Sequence, residues 1–183
     1  MATIYVKLPA TRIYTGLLSV RKNLVDEQVG NSLTCLGKAA FNTAATHGNP
    51  TADPLQLYGD TPTGEYLYIG ITEPATSDDD IHKYGPYGAI KMEPLKGDAA
   101  TARNNGRTGI MIHGGAVDPA NGLLRRTNGC IRLFNEDIQY LKGLIDQLNS
   151  GSDQVVNVII TDDGEQQGNC ADNSSCDETE PPF

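Results

Sequence analysis

Two side chains in the middle of the chain have the chemistry needed for covalent catalysis. Cys130 lies between a glycine and an isoleucine, and His113 ends an apolar run that begins at Ile110. A thiol becomes a nucleophile when a neighbouring imidazole accepts its proton. If folding brings the two together, they form the active site of a cysteine-dependent acyl-transfer enzyme. The alternative is a buried cysteine and a core histidine, but the glycine-rich context of both residues favours catalysis.

The residues around the cysteine suit a nucleophile turn. Gly129 allows the backbone to turn tightly, so that the N–H groups of Asn128, Gly129 and Cys130 can converge on one oxyanion. Arg132 and the amides that open the following helix favour the thiolate over the thiol. His113 lies at a strand end, which is a rigid position for a general base.

Basic residues cluster in sequence near this proposed site. They are Arg103, Arg107, Arg125, Arg126 and Arg132. Such a cluster is either a solvated face or a groove for an anionic substrate, and the sequence leaves both interpretations open.

The net charge of −9 is concentrated at the end of the chain. After residue 161 there are seven acidic residues and no Lys or Arg, whereas residues 1–160 carry 16 acidic and 14 basic residues. We therefore predict one catalytic domain over residues 1–161 and a flexible acidic tail over residues 162–183. Nucleic-acid binding is not indicated. The sequence has neither an apolar run long enough to span a membrane nor the apolar core of a signal peptide.

The remaining cysteines and acidic residues do not indicate a metal or another cofactor. Cys35 lies on the apolar face of a predicted strand and is expected to be buried and inert. Cys170 and Cys176 pair in an oxidising compartment or stay free, and the sequence leaves both possibilities open. The cysteine spacing does not match a zinc site. The three acidic residues Asp78–Asp80 lack the glycine and glutamate of a calcium-binding loop, so we interpret them as part of a solvated loop.

Hydrophobic patterning predicts a mostly β fold with one clear helix. Strands are expected at residues 3–8, 12–20, 31–40, 65–71, 84–94, 109–113 and 153–161. Residues 95–105 are expected to hold a short helix or a loop, and residues 42–60 and 72–83 are expected to be loops. A helix should begin after the cysteine, with Asn135 as its N-cap and an apolar stripe from Ile138 to Leu148.

The central motif resembles that of the L,D-transpeptidase (YkuD-type) family. That family has His-Gly, a gap of about fifteen residues, and then Ser/Thr-His-Gly-Cys followed by an apolar residue and Arg or Asn. Here His113 and Gly114 are followed by the run Thr127–Arg132, which reads Thr-Asn-Gly-Cys-Ile-Arg. The run 61–66, Thr-Pro-Thr-Gly-Glu-Tyr, also resembles the family's turn and strand. The likeness covers roughly residues 12–160.

The resemblance implies a YkuD-like β-sandwich catalytic domain that acts on peptidoglycan stem peptides through a thioester. It makes Cys130 the nucleophile and His113 the base, with oxyanion donors from Asn128 and Gly129. The residues expected to bind substrate are Arg132, Gly114, Gly115, Thr127 and Arg107. The thioester would be resolved by an amine (L,D-transpeptidase) or by water (L,D-carboxypeptidase).

One residue departs from the family's pattern. Asn128 stands where the family has His, which leaves the backbone role intact and any side-chain role in question. This substitution and the run 106–115 resemble a subgroup of type VI secretion effectors. The resemblance implies action in the periplasm or at the cell wall, after synthesis in the cytoplasm and export by a specialised secretion system, with an immunity protein or the secretion apparatus as partner. A housekeeping member of the family whose leader is missing from the sequence fits equally well. Two other functions remain as alternatives, a non-catalytic wall-binding module and a cysteine peptidase or amidase that cuts another wall bond.

Overall fold

The computed structural model describes residues 1–170 of the chain. The strands are β1 (Ala2–Lys7), β2 (Tyr14–Lys22), β3 (Glu27–Cys35), β4 (Gly64–Ile71), β5 (Ala89–Lys96), β6 (Met111–His113), β7 (Ile131–Arg132), β8 (Val155–Thr161) and β9 (Gln167–Cys170). The helices are α1 (Phe41–Thr46), α2 (Asp78–Tyr84), α3 (Asp98–Asn104) and α4 (Asn135–Ser150). The predicted mostly β architecture, with one long helix directly after the cysteine, is confirmed.

The strands form one sheet in the order β3-β2-β1-β8-β4-β5-β6-β7, and β9 pairs with β2. The residue that follows β3 forms an isolated bridge with the last residue of β7. The Leu36 N–H donates to the Arg132 carbonyl at 3.0 Å, and the Arg132 N–H donates to the Leu36 carbonyl at 2.8 Å. The sheet therefore closes on itself at the residues that follow Cys130, which gives the segment a partner on each side.

The core lies between the inner face of this sheet and α4. The predicted apolar stripe of the helix is buried, with Ile138, Leu141, Ile145 and Leu148 facing the sheet. These positions recur every three or four residues and so share one face of the helix. Their burial fixes α4, and with it the chain that leads from Cys130 into the helix.

Two predicted loops contain helices. Residues 42–60 include most of α1, and residues 72–83 include most of α2. The Asp78–Asp80 run opens α2, because the Ser77 side chain accepts a hydrogen bond from the Asp80 N–H at 3.1 Å and so caps the helix. Acidic side chains are favourable at that end of a helix dipole.

The predicted N-cap of α4 is also wrong. Phe134 occupies the N-cap position, and the Asn135 side chain is used elsewhere. Beyond residue 161, β9 adds a short strand within the segment predicted as a tail. Cys176 lies outside the described residues, so the Cys170–Cys176 pairing stays a prediction. Across residues 1–170 the helices are too short or too polar to cross a bilayer.

Candidate active site

Cys130 and His113 are brought to the same place by neighbouring parallel strands. Ile112 of β6 pairs with Ile131 of β7, so His113 ends β6 while Cys130 directly precedes β7. Both residues line a cleft of about 560 Å³. The structure thus brings together the two residues on which the sequence prediction depended.

His113 has a defined tautomer. The residue is only 2% exposed, and Nδ1 of its ring lies 2.6 Å from the Gly114 carbonyl oxygen. A carbonyl oxygen can only accept, so Nδ1 carries the proton and Nε2 keeps a lone pair. Burial, and secondarily the charge of Arg132, lowers the pKa of His113 to about 4. The imidazole is therefore neutral at physiological pH and able to accept a proton.

The Gly114 carbonyl is itself fixed by Arg132. Nη1 of Arg132 donates to the same oxygen at 2.9 Å, and the residue is 6% exposed. Burial is the main reason why the pKa of Arg132 falls to about 10. Arg132 was predicted to bind substrate, and its observed contact orients the backbone that holds His113.

The two glycines after His113 provide room for their neighbours. A Cβ at Gly114 would lie 2.3 Å from Oδ1 of Asn135, and one at Gly115 would lie 1.8 Å from Nη1 of Arg132. Oδ1 of Asn135 accepts the Gly115 N–H at 2.8 Å, which explains why this side chain does not cap α4. The predicted substrate-binding glycines therefore lie in close packing around the base.

Cys130 rests as a thiol. Sγ lies 3.6 Å from the Gly109 carbonyl oxygen, to which only an S–H can donate. Burial raises the pKa of the thiol above its ordinary value, while a hydrogen bond from the Met111 backbone and the charges of Arg107 and Arg132 act in the opposite direction. Because burial dominates, the cysteine needs a base at the moment of attack.

The turn before the nucleophile is held by Thr127. Its hydroxyl accepts the Gly129 N–H at 3.0 Å and donates to the Cys130 carbonyl at 2.9 Å. The Gly129 amide was predicted to be an oxyanion donor, but this internal hydrogen bond occupies it. The Asn128 side chain is exposed and lines the cleft.

The Gly129 carbonyl is fixed from the opposite side. Oγ1 of Thr61 donates to it at 2.9 Å, and Nη2 of Arg107 lies at 3.5 Å. Gly129 has φ of 99°, and a Cβ there would lie 1.8 Å from Nη2 of Arg107 and 2.2 Å from the Gly59 carbonyl oxygen. Only glycine fits this position without displacing its neighbours.

Arg107 does not reach outward as a substrate ligand. The residue is 3% exposed, and its guanidinium donates to the carbonyls of Gly59 and Asp60 at 2.6 and 2.8 Å. Nη1 also contacts the carbonyl of Gln56. The predicted substrate contact is therefore replaced by a structural role in which Arg107 ties residues 54–60 to the nucleophile turn.

Some site residues were not found from the sequence. Thr61 contacts the site across 68 residues, and Asn135 and Gly109 contact it across 20 and 21 residues. Tyr84 packs edge-on against His113 with ring centroids 5.2 Å apart. Only Thr61 had a signal, since it begins the run Thr-Pro-Thr-Gly-Glu-Tyr. Within residues 1–170, no group of three His, Cys, Asp or Glu residues is placed to hold a metal ion.

The fold and this pair of residues define a β-rich domain with a cysteine–histidine cleft. Residues 26–160 match the family model YkuD, the L,D-transpeptidase catalytic domain. The chain therefore belongs to the YkuD L,D-transpeptidase catalytic domain family.

Similar solved structures come from three bacteria. Bd1075 of Bdellovibrio bacteriovorus is 17% identical with a TM-score of 0.52, and the match covers 90% of this chain and 49% of that one. The helical cell shape determining protein Pgp2 of Campylobacter jejuni is 18% identical with a TM-score of 0.46, covering 94% and 50%. L,D-transpeptidase 1 of Mycobacterium tuberculosis is 10% identical with a TM-score of 0.40, covering 87% and 62%. The chain thus spans about half the length of the first and second of these proteins. No curated protein matches the chain significantly.

Proposed function

We propose that this domain performs cysteine-dependent acyl transfer on peptidoglycan stem peptides. One observation carries the proposal. His113 has Nδ1 bound to the Gly114 carbonyl, which leaves Nε2 as a base in the cleft that Cys130 also lines. Membership of the L,D-transpeptidase family supports the choice of substrate.

In the proposed reaction, Nε2 of His113 takes the thiol proton as Sγ of Cys130 attacks the carbonyl carbon of the bond before the terminal D-amino acid. The imidazolium then gives its proton to the leaving amine, and a thioester remains. An amine or water attacks this thioester and restores the thiol. The low pKa of His113 suits the second transfer, because the protonated ring is a strong acid.

The Cys130 N–H is the proposed oxyanion donor. The Gly129 carbonyl is bound by Thr61 on one side, and in a trans peptide the N–H points opposite to the carbonyl. With the Gly129 amide occupied by Thr127, the amides of Cys130 and Asn128 are the members of the predicted set left to stabilise the tetrahedral intermediate, and the fixed Gly129 carbonyl favours Cys130.

The test is incubation with a disaccharide-tetrapeptide, with and without a D-amino acid, followed by mass spectrometry of the products. We expect loss or exchange of the terminal D-alanine, and no reaction by Cys130→Ala. A folded wild-type protein whose products equal those of Cys130→Ala would contradict the proposal. Such a protein that still binds sacculi would instead be a wall-binding module, and a different product mass would indicate a peptidase or amidase.

The place of action remains a separate proposal. The likeness of residues 106–115 and of Asn128 to type VI effectors supports a role as a secreted antibacterial protein with an immunity partner. Periplasm-directed expression in a Gram-negative host should then stop growth, whereas Cys130→Ala should not. Growth unaffected by an active enzyme would contradict this role.

The domain limits of 1–161 and the acidic tail of 162–183 also remain proposals.

A further inference from the structure

A buried ion pair lies close to the nucleophile turn. Nζ of Lys38 and Oδ2 of Asp60 are 3.4 Å apart, and the two side chains are only 11% and 13% exposed. The described residues that line the cleft include neither of them, so the pair does not face a substrate bound there. The proposed reaction gives this pair no task.

The surroundings of this pair do not favour its charges. Burial raises the pKa of the Asp60 carboxyl above its ordinary value, although the charges of Lys38 and Arg12 and a hydrogen bond from the Ala39 backbone act in the opposite direction. Taking two charges out of water costs free energy that their attraction often does not recover, and apolar side chains of similar volume are often as stable in such a site. Stability alone therefore explains the pair poorly.

The Asp60 carboxylate joins two segments of the chain, residues 36–40 and residues 59–61. Its Oδ1 accepts the Ala39 N–H at 2.8 Å, while Oδ2 faces Nζ of Lys38. A backbone hydrogen bond of 3.0 Å between the same segments adds to this link. The side chain of Asp60 therefore helps to set how the two segments lie against each other.

Each of these segments holds the nucleophile turn. From the first segment, the Ala40 N–H donates to the Thr127 carbonyl at 2.7 Å, and the Lys38 carbonyl accepts the Thr127 N–H at 3.1 Å. From the second segment, Oγ1 of Thr61 donates to the Gly129 carbonyl at 2.9 Å. The relative position of the two segments therefore sets the position of Thr127 against Gly129, and with it the direction of the amide that follows Gly129.

We propose that Asp60 is a positioning residue for the nucleophile turn, which acts through residues 36–40 and Thr61 on the amide of Cys130. This inference rests on the proposed function, to which it adds a buried residue that controls the rate of acylation without touching the substrate. Misplacing a reacting group by about 1 Å can slow a reaction by about a hundredfold, even when the cause lies away from the chemistry. A change at Asp60 should therefore lower the rate of the chemical step.

The experiment compares four forms of the full chain: the wild type, Asp60→Asn, the double variant Asp60→Leu with Lys38→Met, and Asp153→Asn. The double variant replaces the ion pair by apolar side chains of similar volume, so it should fold even if Asp60→Asn does not. Asp153→Asn is the control. It removes a charge that pairs with Lys22, the last residue of β2, and the site lies beyond the other end of that strand.

Two properties are measured well below the melting temperature of each form. They are kcat and KM for a stem tetrapeptide, and the NMR signals of the Gly129 and Cys130 amides. We expect both Asp60 variants to show shifted amide signals and a kcat that is lower by about ten- to a hundredfold, with KM within about twofold of wild type because the pair does not line the cleft. The double variant should stay slow even where its melting temperature equals that of the wild type, and Asp153→Asn should match the wild type in both properties.

The outcomes separate this inference from the proposed function. Unchanged amide signals in the folded Asp60 variants overturn it, as do shifted signals with an unchanged kcat. A double variant that regains the wild-type kcat together with its stability, or that does not fold, makes the pair purely structural and also overturns the inference. If folded wild type turns over no peptide, the proposed function is refuted, and the amide signals still decide whether Asp60 positions the turn.

Discussion

Replacing Thr61 by valine tests the oxyanion geometry most directly. Valine keeps the shape of threonine but removes the hydroxyl that donates to the Gly129 carbonyl at 2.9 Å. The remaining contact, from Nη2 of Arg107 at 3.5 Å, is longer. The Gly129–Cys130 peptide is then free to tilt, and the Cys130 N–H tilts with it.

The structure gives the expected size of the effect of Thr61→Val on the acylation rate. Complete loss of one oxyanion donor costs about 10²–10³ in kcat. Thr61→Val misaligns the donor without removing it, so we expect acylation to slow by about ten- to a hundredfold. Leaving a buried carbonyl poorly bonded should also lower the free energy of unfolding by about 1–3 kcal/mol.

Two reactions of the same thiol separate catalysis from stability. Acylation by a carbapenem passes through a tetrahedral oxyanion, whereas alkylation by iodoacetamide does not. Thr61→Val should slow the first and leave the second near wild type, as read by the mass of the Cys130 peptide over time. Thr61→Ser should restore acylation, because it restores the hydroxyl.

Thr63→Val is the matched control. It removes a hydroxyl two residues away that donates to Asp98 on the surface, so both reactions should be unchanged. Wild-type acylation by folded Thr61→Val, or equal loss of acylation and alkylation, would refute the assigned geometry.

The remaining predictions concern pH and packing. Since the folded pKa of His113 is about 4 and its unfolded pKa about 6.5, protonation favours the unfolded chain. The free energy of unfolding should therefore fall by about 3 kcal/mol as the pH falls from 6.5 towards 4, while above pH 6.5 this stability is fully present. His113→Gln should not show this dependence of the free energy of unfolding on pH. Alkylation of Cys130 should keep accelerating above pH 9, because burial raises its pKa; a plateau below pH 8 would contradict this. Gly129→Ala should cost at least about 3 kcal/mol, whereas Gly122→Ala, also at positive φ but in open space, should cost about 1 kcal/mol.

The sequence alone predicted those features that depend on a periodic pattern or on a short motif. The stripe from Ile138 to Leu148 repeats with the helical period, and it lies within the observed helix α4. Cys130 and His113 were found because their glycine-rich neighbours form a recognisable run. Such features depend on residues that are near one another in the chain.

What was missed depends on tertiary contacts or on short elements. The hydroxyl of Thr61 binds the Gly129 carbonyl across 68 residues, and no local sequence pattern indicates this contact. The Asp78–Asp80 run was taken for a loop, although one cap from Ser77 is enough to start a helix. Arg107 was assigned to substrate from its charge, whereas burial decides its role, since a buried guanidinium must bind nearby carbonyls.

The bridge between Leu36 and Arg132 has a consequence for the order of folding. It joins segments about a hundred residues apart. Closing so long a loop costs conformational entropy, so we expect this contact to form after the local hairpins. We expect the turn at Cys130 to gain its shape only with this late contact. In a partly folded chain the thiol of Cys130 is then not yet activated. During refolding, the ability of Cys130 to be acylated should appear at the same time as the protection of the Leu36 and Arg132 amides from hydrogen exchange.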